Sequence, residues 1–288
     1  MTQEPIGDRS GGNGGQGSGT PGGVPEALAG FTESSFSHGG IRHQVFRAGS
    51  GPAVVLIHEI PGLHKGVVEL AHRLIDRGFT VYLPSLFGRP GGEPGEGIAR
   101  AVTRICVSRE FRLLADSSSP VTGWLRALAA QAHAECGGPG VGAIGMCLTG
   151  SFALAMALEP SVLAPVMSQP ALPAPLSARR RAAVGLDAGE LSRLKERTVN
   201  EGLGVLGLRF SSDRGCPAER FATLRRELGD RFEGIEIDSS RGNGHGIPET
   251  AHCVLTVDLV DRPGHPTREA LDRTLDFIAE RLRPEEGR

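Results

Sequence analysis

The stretch Val141-Gly142-Ala143-Ile144-Gly145-Met146-Cys147-Leu148-Thr149-Gly150-Ser151-Phe152-Ala153-Leu154 constrains the fold more than any other in the chain. A short apolar run ends in a glycine-flanked turn and restarts as a helical pattern, with Cys147 at the apex. Gly-x-Cys-x-x-Gly between a strand and a helix has the form of a nucleophile elbow. Its glycines carry no Cβ, so the turn can close with the apex side chain lifted off the sheet. The free amides and positive end of the following helix would favour a thiolate at Cys147. Buried single cysteines are also common as small core residues, so the elbow needs partners elsewhere in the chain to imply catalysis.

The flanking segments alternate strand and helix. Residues 36–46 fit a hairpin turning at Gly39-Gly40, and Ala53-Val54-Val55-Leu56-Ile57 has the continuous β-branched and aliphatic character of a central parallel strand. His58-Glu59-Ile60-Pro61-Gly62-Leu63 leaves its C-terminal end, the edge where open α/β sheets place ligands. Val67, Leu70, Ala71 and Leu74 recur at helical spacing before Gly78, which predicts a crossover helix over 66–77. A strand over 79–83 follows, then the turn-rich loop Leu86-Phe87-Gly88-Arg89-Pro90-Gly91-Gly92. Helical patterns cover 98–115 and 121–135. Beyond the elbow the spacing predicts strands over 162–167, 205–210 and 234–237, with helices over 217–228 and 267–282. The expected architecture is α/β, with a mostly parallel central sheet and helices on both faces.

Two segments stand apart. Residues 1–24 are dominated by Gly, Ser, Pro, Gln and Asn and cannot bury enough apolar surface to order, so a tail preceding one domain over 25–288 is expected. The polar, proline-opened, arginine-rich excursion over 170–202 reads as an insertion across one face, and Arg179-Arg180-Arg181 within it as a solvated charge run. With 31 basic and 33 acidic residues, a net charge of −2 and no sustained block of either sign, nothing marks a nucleic-acid or anionic-membrane surface. Five cysteines without CxxC or zinc spacing point to free thiols in a reducing compartment. No metal or other cofactor is implied. No signal pattern and no apolar run of about 18 residues is present, so a cytoplasmic location is the expectation.

Three residues complete a catalytic set. Cys147 at the elbow, Asp213 at the end of the 205–210 strand and a histidine after the last strand follow the chain order nucleophile, acid, histidine of the α/β-hydrolase triad. A thiolate attacks an acyl carbon, the histidine shuttles the proton, and the carboxylate fixes the histidine's tautomer and stabilises its charged form. His245 and His252 both follow the last strand. His245, flanked by Gly244 and Gly246 at a loop tip, is the chosen base, because Ala251-His252-Cys253-Val254-Leu255 reads as the start of an apolar segment.

From Ala53 to Leu282 these residues resemble the dienelactone hydrolases, a family with the α/β-hydrolase fold. Gly145-Met146-Cys147-Leu148-Thr149-Gly150 is similar to the family's elbow, Glu59-Ile60-Pro61-Gly62 to its Glu-Ile-x-Gly loop, and Leu86-Phe87-Gly88-Arg89 to its Leu-Tyr-x-Arg segment. The resemblance implies an oxyanion hole from the amides of Ile60 and Leu148, a Glu59 that holds the resting Cys147 thiol, and an Arg89 that grips a substrate carboxylate. Thr149 stands where the family elbow has a glycine, and Glu249 where the histidine loop usually offers a second substrate-binding arginine. The implied activity is cysteine-dependent hydrolysis of a lactone or small carboxylic ester, a small-molecule substrate. An acyltransferase or thioesterase using the same triad, and a ligand-binding protein on a hydrolase fold, are the alternatives the same residues permit.

Overall fold

The computed structural model describes residues 26–88, 90–92, 119–172 and 176–283. The glycine-rich segment 1–24, the helical pattern over 98–115 and Arg89 lie outside the described residues. Eight strands form one sheet: β1 (Thr32–His38), β2 (Ile41–Gly49), β3 (Ala53–Ile57), β4 (Thr80–Ser85), β5 (Val141–Met146), β6 (Val162–Ser168), β7 (Val205–Phe210) and β8 (Phe232–Ile237). Their order is β1-β2-β4-β3-β5-β6-β7-β8. The hairpin β1-β2 joins β4 antiparallel, and every pairing from β4 to β8 is parallel. The chain moves from β3 outward to β4 on one side and then to β5 on the other. That reversal opens a crevice at the carboxyl ends of β3 and β5.

The continuous apolar character of the central strands follows from burial on both faces. Val54 and Leu56 of β3 point into a core with helix α1 (Lys65–Asp76), while Ala53, Val55 and Ile57 pack on the other side with α2 (Pro120–Cys136) and α3 (Gly150–Met156). This is the two-residue alternation of a strand, with both faces made apolar. The C-terminal helix α7 (Pro266–Leu282) lays Leu271, Phe277 and Ile278 on the same face as α1, and Trp124, Leu125 and Leu128 anchor α2 on the opposite face. Each such fully buried large side chain is worth about 1.5–3 kcal/mol of transfer free energy.

The excursion after β6 carries two helices. It holds α4 (Ala178–Ala182) and α5 (Ala188–Asn200), the latter started by a reciprocal Asp187/Glu190 capping box. Leu194 is buried with Leu154 of α3 and Phe221 of α6 (Ala218–Leu228). Arg197, also of α5, donates from Nη1 to the carbonyls of Ala157 and Glu159 at 2.6 and 2.8 Å and from Nη2 to Pro160 at 3.0 Å, satisfying the end of the elbow helix. Within the arginine run, Arg181 pairs through both nitrogens with Glu219 of α6 at 2.8 and 3.0 Å. No helix among the described residues is long and apolar enough to cross a membrane.

Candidate active site

Cys147 follows β5 directly and takes a left-handed backbone conformation, φ 54°. For a residue with a Cβ this costs of order 1–3 kcal/mol, so the surrounding chain must impose it. The flanking glycines show how. A Cβ on Gly145 would lie 2.1 Å from the Thr149 carbonyl oxygen, and one on Gly150 would lie 2.6 Å from the Cα of Pro170. Both positions therefore require glycine for close backbone approach, which is the physical content of the Gly-x-Cys-x-x-Gly pattern. The carbonyl of Cys147 accepts from the Ala171 amide at 2.9 Å, which ties the elbow to the segment after β6.

Thr149, which stands where the family elbow has a glycine, is fully buried and bonded on several sides. Its Oγ1 accepts from the Met146 amide at 3.0 Å, and its hydroxyl proton has the carbonyls of Met146 (2.9 Å), His58 (3.2 Å) and Ile57 (3.3 Å) within reach. One side chain thus fastens the elbow to the end of β3, from which the Glu59-Ile60 loop departs. His58 reinforces that loop: Nδ1–H donates to the Glu59 carbonyl at 3.0 Å and Nε2 accepts from the Leu86 amide at 3.0 Å. Burial lowers its pKa to about 4 against the opposing bond to the Glu59 carbonyl, and the acceptor role of Nε2 requires the neutral ring.

Asp213 sits just past β7, as the sequence places it, and is buried. Its partner is His252, not His245. The ring Nδ1–H of His252 donates to Asp213 Oδ2 at 2.7 Å, while Asp213 Oδ1 accepts from the Gly215 amide at 2.8 Å. Cys147 is the second side chain that acts on the His252 ring. Burial alone would lower the pKa of this ring. The hydrogen bonds and charges of Asp213 and Cys147 outweigh it and raise the value to about 10.

The sequence-based choice of His245 is thus corrected. His245 is exposed, set edge-on against His265 with ring centroids 5.5 Å apart, over β8 and the start of α7. Its loop is organised around Asn243, whose Oδ1 accepts from the amides of His245 and Ile247 at 3.1 and 3.0 Å. Flanking glycines hold this tip out in solvent. The apolar segment after His252 does the opposite: Val254 and Leu255 are buried and draw the histidine inward, and Asp258 Oδ2 fixes the turn by accepting from the amides of His252 and Cys253 at 2.9 and 2.8 Å. The signal available in the sequence is that anchoring segment, whose apolar character taken alone argues against catalysis.

The reassignment moves another residue. Glu249 lies in an exposed turn four residues beyond His245, and the residue at the same offset from His252 is Thr256, whose hydroxyl donates to Glu59 Oε1. Glu59 is fully buried and also receives His64 Nε2–H at 3.1 Å on Oε1 and Gln169 Nε2–H at 3.0 Å on Oε2. Burial works against its charge, but the hydrogen bonds from His64, Thr256 and Cys253 prevail and leave its pKa below the ordinary carboxylate value. Its thiol neighbour in that set is Cys253. Ile60 and Leu148, the expected oxyanion donors, lie on the loop after β3 and in the first turn after the elbow, on adjacent strands of the crevice. Gly88, at φ 78°, brings the loop after β4 to the same place, since a Cβ there would overlap the Pro61 carbonyl oxygen.

The other described cysteines are free thiols and are held protonated where they are buried. Burial pushes Cys216 up to about 12, and burial together with the Glu59 charge pushes Cys253 up as well.

The sequence profile of the dienelactone hydrolase family matches residues 43–278. The chain belongs to the dienelactone hydrolase family. It is accordingly a hydrolase of the carboxylic ester and lactone class. No curated protein matches it by sequence. Among solved structures it is similar to a Klebsiella pneumoniae subsp. pneumoniae protein assigned as a dienelactone hydrolase (20% identity, 87% of this chain and 98% of that one, TM-score 0.58). It is also similar to a dienelactone hydrolase-like promiscuous phosphotriesterase from metagenomic libraries (18% identity, 88% and 98%, TM-score 0.56). A cold-adapted esterase from an Arctic intertidal metagenomic library follows (15% identity, 87% and 93%, TM-score 0.54). At these identities the likeness to the solved structures is one of fold.

Proposed function

We propose that this dienelactone hydrolase family member is a cysteine-dependent hydrolase of a lactone or small carboxylic ester, with Cys147 as nucleophile, His252 as acid and base, and Asp213 as its orienting carboxylate. The observation that carries the reading is the Asp213–His252 pair, whose ring is acted on by Cys147 at the apex of a strained elbow. With Nδ1–H committed to Asp213, Nε2 is the nitrogen left to serve the thiol. The raised imidazole pKa makes His252 an able acceptor for the thiol proton as Cys147 attacks.

The reaction balances with these groups. The thiolate attacks the ester carbonyl carbon, and the oxyanion is received by the Ile60 and Leu148 amides. Collapse breaks the acyl–oxygen bond, and His252 Nε2–H protonates the departing alkoxide, which in a lactone stays attached through the acyl chain. Neutral His252 then takes a proton from water, the resulting hydroxide attacks the thioester, and the thiolate leaves with the acid released. Asp213 remains a carboxylate throughout and stabilises each imidazolium.

The test is a panel of chromogenic esters and lactones, with and without a carboxylate, assayed on the wild type and on Cys147→Ala. Turnover should vanish in the variant with its melting temperature preserved, and iodoacetamide should mark Cys147 faster than the other cysteines. Full activity in Cys147→Ala would exclude the proposed nucleophile.

A further inference from the structure

Among the described residues, only two non-glycine residues have positive φ: Cys147 and Gln169, the latter at 33°. Backbone strain of this kind persists where the surroundings over-determine it, and it concentrates at functional sites. Gln169 is completely buried, one residue past β6. Its hydrogen bonds reach the Glu59 loop, the His252 loop and the strand before Asp213. The side-chain amide donates to Glu59 Oε2 at 3.0 Å, on the loop after β3. The amide oxygen accepts from the Val254 N–H at 3.3 Å, two residues beyond His252, and from the Ser168 hydroxyl. The Gln169 N–H donates to the Leu208 carbonyl at 2.7 Å, on the strand that leads to Asp213, and Ala171 two residues later holds the Cys147 carbonyl at 2.9 Å.

We propose that Gln169 is a positioning residue for the reaction: its buried amide, oriented by the Glu59 carboxylate, holds the His252 loop at working distance from Cys147. The direction of the amide is fixed by charge. Ionised Glu59 accepts only, so Nε2 must face it, and Oε1 is left to receive the Val254 N–H. A displaced His252 would still pair with Asp213, but it would lose its register on the thiol. The cost should fall on the chemical step rather than on substrate binding. The proposal rests on Cys147 and His252 acting as assigned above.

Three variants test it, read by iodoacetamide alkylation of Cys147 against pH, by kcat and KM on a small ester, and by melting temperature. Gln169→Met keeps the length and removes both polar atoms. It should lower kcat roughly ten- to a hundredfold, the loss of charged and buried hydrogen bonds, with KM nearly unchanged and alkylation slowed in parallel. Gln169→Glu sets a second carboxylate against Glu59, and two such groups share one proton at low pH. Its alkylation rate and kcat should approach wild type at low pH and fall away as pH rises, a bend the wild type lacks. The other titratable groups facing Glu59 are His58 and His64 on its own loop and Cys253 beside His252, and all three are unchanged in the variant. The exchange Glu59→Gln with Gln169→Glu reverses donor and acceptor and should restore alkylation above Gln169→Glu alone.

If melting temperature falls while kcat, alkylation and their pH profiles match the wild type, or if the exchange rescues nothing, the proposal is overturned. Should Gln169→Met fail to fold, the pH bend and the exchange still decide it. Alkylation reports on Cys147 whether or not that residue performs the hydrolysis, so failure of the proposed nucleophile would show separately, as activity surviving in Cys147→Ala.

Discussion

Replacing Asp213 with asparagine isolates what the carboxylate contributes. The amide side chain of Asp213→Asn could keep the Oδ1 bond to the Gly215 amide, now 2.8 Å, so the loop should hold its shape. The change falls on the other atom: Oδ2, 2.7 Å from His252 Nδ1, becomes an NH₂ donor. His252 must then turn Nδ1 into an acceptor and carry its proton on Nε2, which leaves no lone pair toward the thiol. The energy at stake follows from the displacement of the ring from 6.5 to about 10, which corresponds to about 5 kcal/mol of imidazolium stabilisation. Asp213 and Cys147 share it, and a charged hydrogen bond of about 1.5–3 kcal/mol is a reasonable portion for Asp213. Adding the wrong tautomer, Asp213→Asn should lower kcat by on the order of 10²–10⁴. Ring-nitrogen NMR should show His252 titrating well below its wild-type value. The stability lost with the carboxylate follows the same titration. A histidine with a raised folded pKa stabilises the native state fully below its unfolded value of 6.5, and the contribution fades as pH rises through about 10. The difference in stability between wild type and variant should therefore be larger at pH 6 than at pH 10. A variant with near wild-type kcat and an unmoved His252 titration would refute the reasoning.

Thr149→Val should cost about 1–3 kcal/mol, because the Met146 amide and the nearby carbonyls lose a buried partner; chemical denaturation checks this, and an unchanged midpoint would count against Thr149 as the tie between elbow and β3. His58, buried and neutral with a pKa of about 4 against 6.5 unfolded, binds its proton more readily in the unfolded chain. Stability should thus fall by up to about 3 kcal/mol as pH drops from 6.5 to 4, and His58→Gln should flatten that part of the stability curve in parallel denaturation series.

Local sequence determined the elements and the elbow. The apolar runs at 53–57 and 141–146, and the run at 205–210 broken only by Arg209, have one economical use, as strands covered on both faces, and β3, β5 and β7 occupy those spans. Gly145 is legible because the steric demand it meets, the Thr149 carbonyl oxygen, lies within the motif, whereas the Pro170 Cα that crowds Gly150 comes from the segment after β6. Asp213 at a strand end was legible for a similar reason: the strand's length fixes where its last residue emerges. The 170–202 excursion shows where local reading weakens. Its polar composition reads as an insertion across one face, and its helices form because Leu194 and Arg197 find an apolar surface and unsatisfied carbonyls at α3, partners distant in sequence.

The choice between His245 and His252 belonged to the tertiary structure for a related reason. Flexibility from flanking glycines and the apolar character of 251–255 are local properties, and both favour His245. What makes a base is a fixed direction toward a particular carboxylate and thiol, and that direction comes from burial of Val254 and Leu255, the Asp258 clamp on two amides, and Gln169 reaching from β6. The same holds for Glu59 and Thr149, whose roles depend on which side chains three separate loops bring against them. Strand and helix propensity act over a few residues and can be read along the chain, whereas hydrogen-bond partnership at a crossing of loops is decided by the sheet order that brings those loops together.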